Sequence, residues 1–527
     1  MHSPLLIRAH WLCILCLQAG IALGQDAGKS IRVTRLHCEN RDQPLGIDDP
    51  SPRLSWQLES AVRRQRQAAC RILVAGTRDE LEADRGDLWD SGKVQSALSV
   101  NVQYAGKALA SGQRCFWKVM VWPAVSPGEA DRNDAASGWS APSSWEMGLL
   151  KTGDWTGSWI GDDKPAPERD ADFYKDDPAP LFRREFKVRG PVRSARLYLS
   201  ALGYVEATLN GGAVGDQYLD PIWTLPDKRV FYSVHDVTGR LVSGDNCLGV
   251  TLGNGWYNPL PLRMWGRVNL RERLPVGRPQ FIAQLKIEYA DGSRETMVSD
   301  ASWKVAPGPI LRNNIYLGEK VDARKCVEGW DKAGLDDRAW KPACIAPAPK
   351  GVLLAQSVPP IRVTATVKPV RVTEPSQGVY VVDMGRNFAG WARFTFDVPP
   401  GTEITMRYGE LLHEDGTLNP MTSVCGQIKR KQPPADGSPA VAWQSDTFIA
   451  RGGGPETYTP RFTFHAFRYV EITGLPARPS IEDVVGLRLN AAVEPVGSFS
   501  CSNDLFNRIQ AMCEWTFLSN LFGVQSD

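Results

Sequence analysis

The 527 residues contain no run of five or six like charges, and 61 Lys and Arg against 59 Asp and Glu leave a formal net charge of only +2. That balance argues against a nucleic-acid groove or a polybasic membrane patch. Beyond the N-terminal apolar segment, no CxxC pair occurs among the nine remaining cysteines, so their spacing gives no zinc site. There is no serine elbow and no HExxH. The close glycines of "GVTLGNGW" lead into strand-like, aromatic sequence and open no helix, so nucleotide binding is unsupported. Helical periodicity is nearly missing before the last thirty residues, and beyond the N-terminus no stretch has the length of a membrane span.

What is present starts with an export signal. His2 and Arg8 precede the apolar "WLCILCLQAGIALG", which closes on Ala22-Leu23-Gly24. The segment is short for a span and matches a signal-peptide core over residues 1–24, with cleavage near Gly24. The expectation is an exported protein, periplasmic or extracellular, with no membrane attachment after cleavage. Loss of Cys13 and Cys16 leaves Cys38, Cys70, Cys115, Cys247, Cys326, Cys344, Cys425, Cys501 and Cys513. Their number is odd and their spacing irregular, which allows one or two disulfides but predicts mostly buried thiols.

From about residue 31 to 490 the chain alternates with period two. In "FIAQLKIEYADGSRETMV", Phe281, Ala283, Leu285, Ile287 and Tyr289 share a face, and Asp291-Gly292 supplies a hairpin turn. "YVEATLNGGAVGD" repeats this with Val205, Ala207 and Leu209 inward and Asn210-Gly211 turning. "WARFTFDVPPGTEITMRYGE" adds Phe394, Phe396 and Val398, then Ile404, Met406 and Tyr408. The fold class is therefore mainly β: three tandem β-sandwiches over 31–148, 149–345 and 355–490. The first holds Trp56, Trp89, Trp117, Trp122 and Trp139, and its span of roughly a hundred residues with strands at this spacing suits an immunoglobulin- or fibronectin-like sandwich. "DDKPAPERDADFYKDDPAP" reads as an exposed connection, and "APAPKGVLLAQSVPP" as the link to the third sandwich.

Residues 495–527 change character. Ser502 or Asn503 can cap a helix whose apolar face carries Leu505, Phe506, Ile509, Met512, Cys513, Thr516, Phe517 and Leu521, with Gly523 as its stop. Such a helix gains its stability from packing. It either docks on the third sandwich or begins an all-α domain.

The wording of many segments resembles the bacterial α-L-rhamnosidases, a family of inverting glycoside hydrolases. "SPRLSWQL", "GDLWDSGKV", "CFWKVMVW" and "DWTGSWIG" carry the resemblance first. "LSALGYVEATLNGGAVGD", "LDPIWT", "VFYSVHDVTGRLVSGDNCLGVTLGNGWYN" and "GWDKAGLDDRAWKPA" follow in the second sandwich. "VYVVDMGRNFAGWARF", "GTEITMRYGELLHEDGTLNP" and "PRFTFHAFRYVEITG" resemble the family's concanavalin-like domain, and "FSCSNDLFNRIQAMCEWTFLSNLFGVQSD" is similar to the entry into its (α/α)6 barrel. The resemblance implies fibronectin/Ig-like, jelly-roll-like and concanavalin-like domains and then the first barrel helix. It implies release of terminal α-L-rhamnose from plant glycosides or polysaccharides.

An inverting glycosidase needs one carboxylic acid for the leaving oxygen and a second carboxylate, roughly 6.5–9.5 Å away, for the water. The resemblance places Asp527 at a rhamnose-holding aspartate and implies that the general acid and base have no counterpart within the chain, which is then inactive alone. The alternative is a non-catalytic carbohydrate-binding or scaffold protein built from the same domains.

Asp383, Glu410, Glu414, Asp415 and Asp446 in the third sandwich read as turn and strand-end chemistry; "DMGRNFAGW" reads as a turn on Gly385 and Gly390, and His465 as structural. In the second sandwich, "GNGWYN" gathers Asn254, Trp256, Tyr257 and Asn258, and "RNNIYLGE" adds Asn313, Asn314 and Glu319. The family's second domain in some relatives binds rhamnose with the help of calcium. Oxygen donors beside aromatic rings suit a sugar and a hard cation; strand-end hydrogen bonding is the other reading, and it is favoured. No other cofactor is required.

Overall fold

The computed structural model describes residues 31–124, 136–261, 263–264, 268–424, 440 and 444–525. The expected signal peptide and Asp527 lie outside these residues. The chain folds into two compact units. One comprises the stretch up to Pro44 with Ser51–Ala108 and Arg114–Trp145; the other comprises Leu45–Pro50, Leu109–Gln113 and everything from Glu146.

In the first unit, Arg32–Cys38, Arg53–Glu59 and Val102–Gln103 form one sheet. In the other, Gln67–Ala75 pairs antiparallel with Arg114–Pro123 on one side and with Trp89–Asp90 and Val94–Gln95 on the other. Alternation along Arg114–Pro123 sends Cys115, Trp117, Val119 and Val121 into the core. Trp117 meets Trp145 edge to face at 6.4 Å, and the buried Trp56 donates its Nε1–H to Gln67 at 3.0 Å. Burying an indole without that partner would leave a costly orphan donor.

The second unit holds the two remaining sandwiches. Gln280–Tyr289 and Val192–Leu202 form the centre of one sheet, with Arg229–Asp236 beyond. Pro180–Val188, Gly244–Gly253 and Tyr204–Leu209 form the facing sheet. Phe182, Phe281 and Trp303 interlock between them with ring centroids 5.1 and 5.3 Å apart. The turns at Asn210-Gly211 and Asp291-Gly292 form as the sequence indicates, with Gly211 and Gly292 both near φ +81.

Four expectations need correction. Val352–Ala355, read as part of the link to the third sandwich, is a strand running parallel to Arg229–Asp236 at the edge of the second sandwich. The first connection also packs: Phe173 and Tyr174 lie on Leu260, Leu270 and Tyr316. The boundary near residue 345 is crossed from the other side as well. The hairpin of Ile310–Asn314 and Gly318–Asp322 leaves the second sandwich and pairs in parallel with Ser445–Ile449 of the third. Finally, "DMGRNFAGW" is not a turn between strands. Val379–Phe396 is one 18-residue strand that keeps the same partner, His465–Thr473, on both sides of a bulge between Asp383 and Phe388. The ladder continues because Gly385, at φ +79, absorbs the distortion locally.

The bulge has a use. The helix Asp504–Ser519, capped by Asn503 through the Leu505 N–H at 3.0 Å, sits beside it. Trp515 donates its indole N–H to the Asn387 carbonyl at 2.7 Å and lies under the Arg386 and Arg488 guanidinium groups at 3.9 and 4.3 Å. The helix therefore docks through Trp515, and not through its apolar stripe: Leu505, Phe506, Ile509, Met512 and Phe517 are 42–65% exposed.

Candidate functional site

The loop after Gly244–Gly253 brings Asn254, Trp256 and Tyr257 beside the hairpin that carries Asn313 and Asn314, so the sequence-predicted residues do meet. Their amides, however, serve one another. The Asn254 N–H donates to Asn313 Oδ1 at 2.7 Å, and Asn254 Nδ2 donates to the Asn313 carbonyl at 2.9 Å. Asn258 Nδ2 donates to Asn254 Oδ1 at 2.8 Å, and Arg271 donates to Asn258 Oδ1 at 2.9 Å. Asn314 Oδ1 accepts from the backbone N–H groups of Tyr316 and Leu317 at 2.9 and 3.2 Å.

Calcium requires six to eight oxygens at about 2.3–2.6 Å. Here each side-chain amide oxygen of Asn254, Asn258, Asn313 and Asn314 already accepts an N–H, and among the described residues no group of three His, Cys, Asp or Glu could hold a metal. This residue set does not fit a hard cation.

Glu319 faces away from the loop. It is 1% exposed and accepts from the Phe462 and Arg461 N–H groups at 3.2 and 3.4 Å and from the Tyr458 hydroxyl at 3.4 Å. Burial, followed by the nearby Asp446 carboxylate, pushes its pKa up to about 8. It belongs to a buried polar joint between the strands Gly318–Asp322 and Ser445–Ile449, where its own N–H donates to Asp446 Oδ1 at 2.8 Å.

Of the aromatic residues here, Trp223 is exposed, Trp256 and Tyr257 are half-buried and Tyr316 is buried. Trp256 meets Tyr316 edge to face at 5.6 Å and lies 6.2 Å from Trp223, which is 38% exposed. Trp223 belongs to "LDPIWT", where Asp220 is buried, accepts from Ser233 Oγ at 2.9 Å and is pushed up to about 6 by that burial. Neighbouring Ile222 donates its backbone N–H to Gln356 Oε1 at 3.1 Å and lies beside the helix exit. A Cβ on Gly523 would strike Ile222 Cγ2 at 2.3 Å, and Phe522 stacks on Phe464 at 4.1 Å. The exit from the helix thus runs beside exposed tryptophan. The hollow under Trp223, Trp256 and Tyr257 has a volume of only about 30 Å³, so it is a wall and not a pocket.

The third-sandwich acids behave as turn and framework groups. Asp415 Oδ1 accepts from Thr417 N–H at 2.9 Å, Glu410 accepts from Asn387 Nδ2 at 2.8 Å, and Arg468 grips Asp383 at 2.9 and 3.1 Å. Sequence reasoning passed over Trp223 and Trp515 as site residues. The signal for Trp515 was its position off the helix's apolar stripe, where a tryptophan has no reason to be unless something receives it.

Taken together, these features define a tandem of β-sandwiches that ends in a docked helix with its apolar stripe outward, next to an aromatic wall. Three family models match consecutive parts of the chain: the Rha78A-like N-terminal immunoglobulin domain over residues 33–151, the alpha-L-rhamnosidase N-terminal domain over 190–365, and the bacterial alpha-L-rhamnosidase concanavalin-like domain over 373–490. The chain belongs to the bacterial α-L-rhamnosidase family. An alpha-L-rhamnosidase of Formosa agariphila is 33% identical over 542 residues, covering 100% of this chain and 54% of the relative. The solved alpha-L-rhamnosidase of Dictyoglomus thermophilum superposes with a TM-score of 0.83 at 36% identity, over 94% of this chain and 52% of that one. The Streptomyces avermitilis alpha-L-rhamnosidase, solved in complex with L-rhamnose, gives a TM-score of 0.82 at 28% identity, over 94% and 61%. The chain spans about half the length of the curated relatives it matches.

Proposed function

We propose that this chain forms the β-domain part of an exported α-L-rhamnosidase that releases terminal α-L-rhamnose from plant glycosides or polysaccharides with inversion. The observation that carries the reading is the orientation of the last helix. Trp515 fixes one face to the third sandwich, while Leu505, Phe506, Ile509, Met512 and Phe517 present a continuous apolar stripe to solvent. An exposed stripe of this kind is a packing surface, and its fit is to further helices of an (α/α)6 barrel that carries the acid and the base. The Streptomyces avermitilis structure with L-rhamnose supports rhamnose as the sugar, and the apolar segment of residues 11–24 supports export.

On this reading the polypeptide of residues 25–527 does not itself hydrolyse an aryl rhamnoside, because Asp383, Glu410, Asp415 and Asp446 are engaged in framework hydrogen bonds. General acid and base groups are each worth roughly 10²–10⁴-fold. The test is release of nitrophenol from an α-L-rhamnoside by the purified polypeptide. Turnover at the rate of a full-length relative would overturn the division of labour. Activity gained when a rhamnosidase barrel is fused after residue 527 would support it.

A further inference from the structure

Arg488 is a buried cation without a counter-charge. It lies on the strand Val484–Ala491, where Leu487 and Leu489 fill the core and Arg488, between them, faces the opposite side, toward the terminal helix. Only 8% of it is exposed. Its cross-strand neighbours are Ala365 and Gly390, and neither can supply an acid. Its Nε–H donates to Thr364 Oγ1 at 3.2 Å, and Thr364 in turn donates to Asn490 Oδ1. The two terminal amino groups of Arg488 donate to nothing among the described residues, and both still touch solvent.

Arg386 stands beside it. This side chain is exposed on the bulge between Asp383 and Phe388 and forms no ion pair among the described residues. Both guanidinium groups lie against the one indole of Trp515, at 3.9 and 4.3 Å from its ring. Two like charges are therefore held together by a single ring. Burial pulls the Arg488 pKa down, and the Arg386 charge adds to the effect. The acids next to the bulge are engaged elsewhere: Arg468 holds Asp383, and Glu410 accepts from Asn387 Nδ2. Ring contact neutralises neither charge, and the N–H forks still need acceptors. A desolvated cation with no partner is costly, and a second cation beside it raises that cost.

These charges select the ligand. A neutral molecule would leave both of them uncompensated, and a metal ion would be repelled. Planar arginine forks match the paired oxygens of a carboxylate or a phosphate. We propose that Arg386 and Arg488 form an oxyanion site on the third sandwich, and that its occupation tightens the seat of Trp515 and with it the docking of the helix Asp504–Ser519. An anion bound between the two guanidinium groups removes the repulsion that opposes their joint contact with the indole, so it favours the docked helix by mass action. The site lies outside the hydrolytic reading above, and its test needs neither turnover nor a further domain.

The experiment uses the polypeptide of residues 25–527 in chloride buffer of fixed ionic strength, with part of the chloride replaced by phosphate or by acetate. Calorimetric or NMR titration reads binding, and amide hydrogen exchange reads the helix. The expected result is saturable binding of at least one of the two anions, with exchange over residues 504–519 slowed about threefold at an anion concentration twice the dissociation constant and the sandwich strands unchanged. A preference for phosphate would identify a free inorganic oxyanion as the ligand, and a preference for acetate a carboxylate. Arg386→Gln and Arg488→Gln should each abolish the slowing. Arg338→Gln removes the same charge from a side chain that is 90% exposed elsewhere, and should keep it. Arg386→Gln changes an exposed group, so it remains informative if Arg488→Gln disturbs the strand. No saturable binding, the same exchange rates in chloride as in either anion, slowing that survives Arg386→Gln, or slowing spread evenly over the third sandwich would each overturn the proposal.

Discussion

The His465 imidazole lies face to face with the Tyr408 ring, with centroids 3.9 Å apart and planes 12° from parallel, and both side chains reach Asp446 Oδ2, at 2.9 and 2.8 Å. The remaining Asp446 oxygen accepts the Glu319 N–H, which ties the inserted hairpin to the third sandwich's own strands. All four residues are almost fully buried, so each hydrogen bond is made in a medium where leaving it unmade is expensive. Tyr408→Phe is expected to lower stability by about 1–3 kcal/mol, read as a lower urea midpoint with an unchanged slope.

Glu319 gives the fold an alkaline weakness. Its pKa of about 8 exceeds the ordinary carboxylate value because burial and Asp446 penalise the charged form. The folded state therefore holds this proton more tightly than the unfolded chain does. Its stabilising contribution is complete below about pH 4.5 and is lost as the pH rises to about 8. The total change is of the order of a few kcal/mol. Glu319→Gln should flatten the fall in melting temperature between pH 5 and about 8; an unchanged slope would show that another group controls it.

His235 works in the opposite direction. Burial lowers its pKa to about 4; the Asp216 carboxylate opposes this slightly and the Arg240 charge adds to it. Its contribution is present above about pH 6.5, the ordinary histidine value, and is lost as the pH falls through about 4. A His235→Gln variant should lose less stability than the wild type between pH 6.5 and about 4 in matched thermal melts.

Trp515 is the anchor of the terminal helix. Its replacement by alanine removes the bond to the Asn387 carbonyl and two guanidinium contacts, each worth about 0.5–2 kcal/mol. Faster amide exchange confined to residues 504–519, with the sandwich strands unchanged, is the expected outcome. Uniform exchange across the third sandwich would mean that the helix is integral to it.

Gly390 stands at φ +154, and a Cβ there would lie 2.0 Å from the Leu487 carbonyl oxygen. Backbone cannot move aside as a flexible side chain can. Gly390→Ala should cost well over about 1 kcal/mol and cut the soluble yield, whereas Gly378→Ala has open space around its Cβ and should show only the milder strain of its own positive φ.

The short-range features were legible. Period-two burial at Val205, Ala207 and Leu209, or at Ile404, Met406 and Tyr408, follows from alternation alone. So does the Asp415-Gly416 turn, closed by the Gly416 N–H on the His413 carbonyl at 3.0 Å. What escaped depends on partners far along the chain. Nothing local marks Gly318–Asp322 as the neighbour of Ser445–Ile449. Gly385 and Gly390 have the composition of a turn, yet a common partner strand on both sides of the bulge keeps Val379–Phe396 continuous. The asparagines around Asn254 were visible as a cluster, but whether an amide faces a ligand or another amide is decided by loop geometry. Tyr257 was picked out for its chemistry, while Arg278 and Asp163, with which it lines a cleft, lie at separate points of the sequence.

The hairpin Ile310–Asp322 also limits how such a protein can be divided or recombined. A gene cut between the second and third sandwiches, at residues 345–355, would leave Ser445–Ile449 with an open edge on one fragment and an unsupported ribbon on the other. Open strand edges recruit other chains. The two sandwiches therefore form one transferable module, and exchange between homologues should preserve function only when the crossover falls before residue 146 or after residue 491.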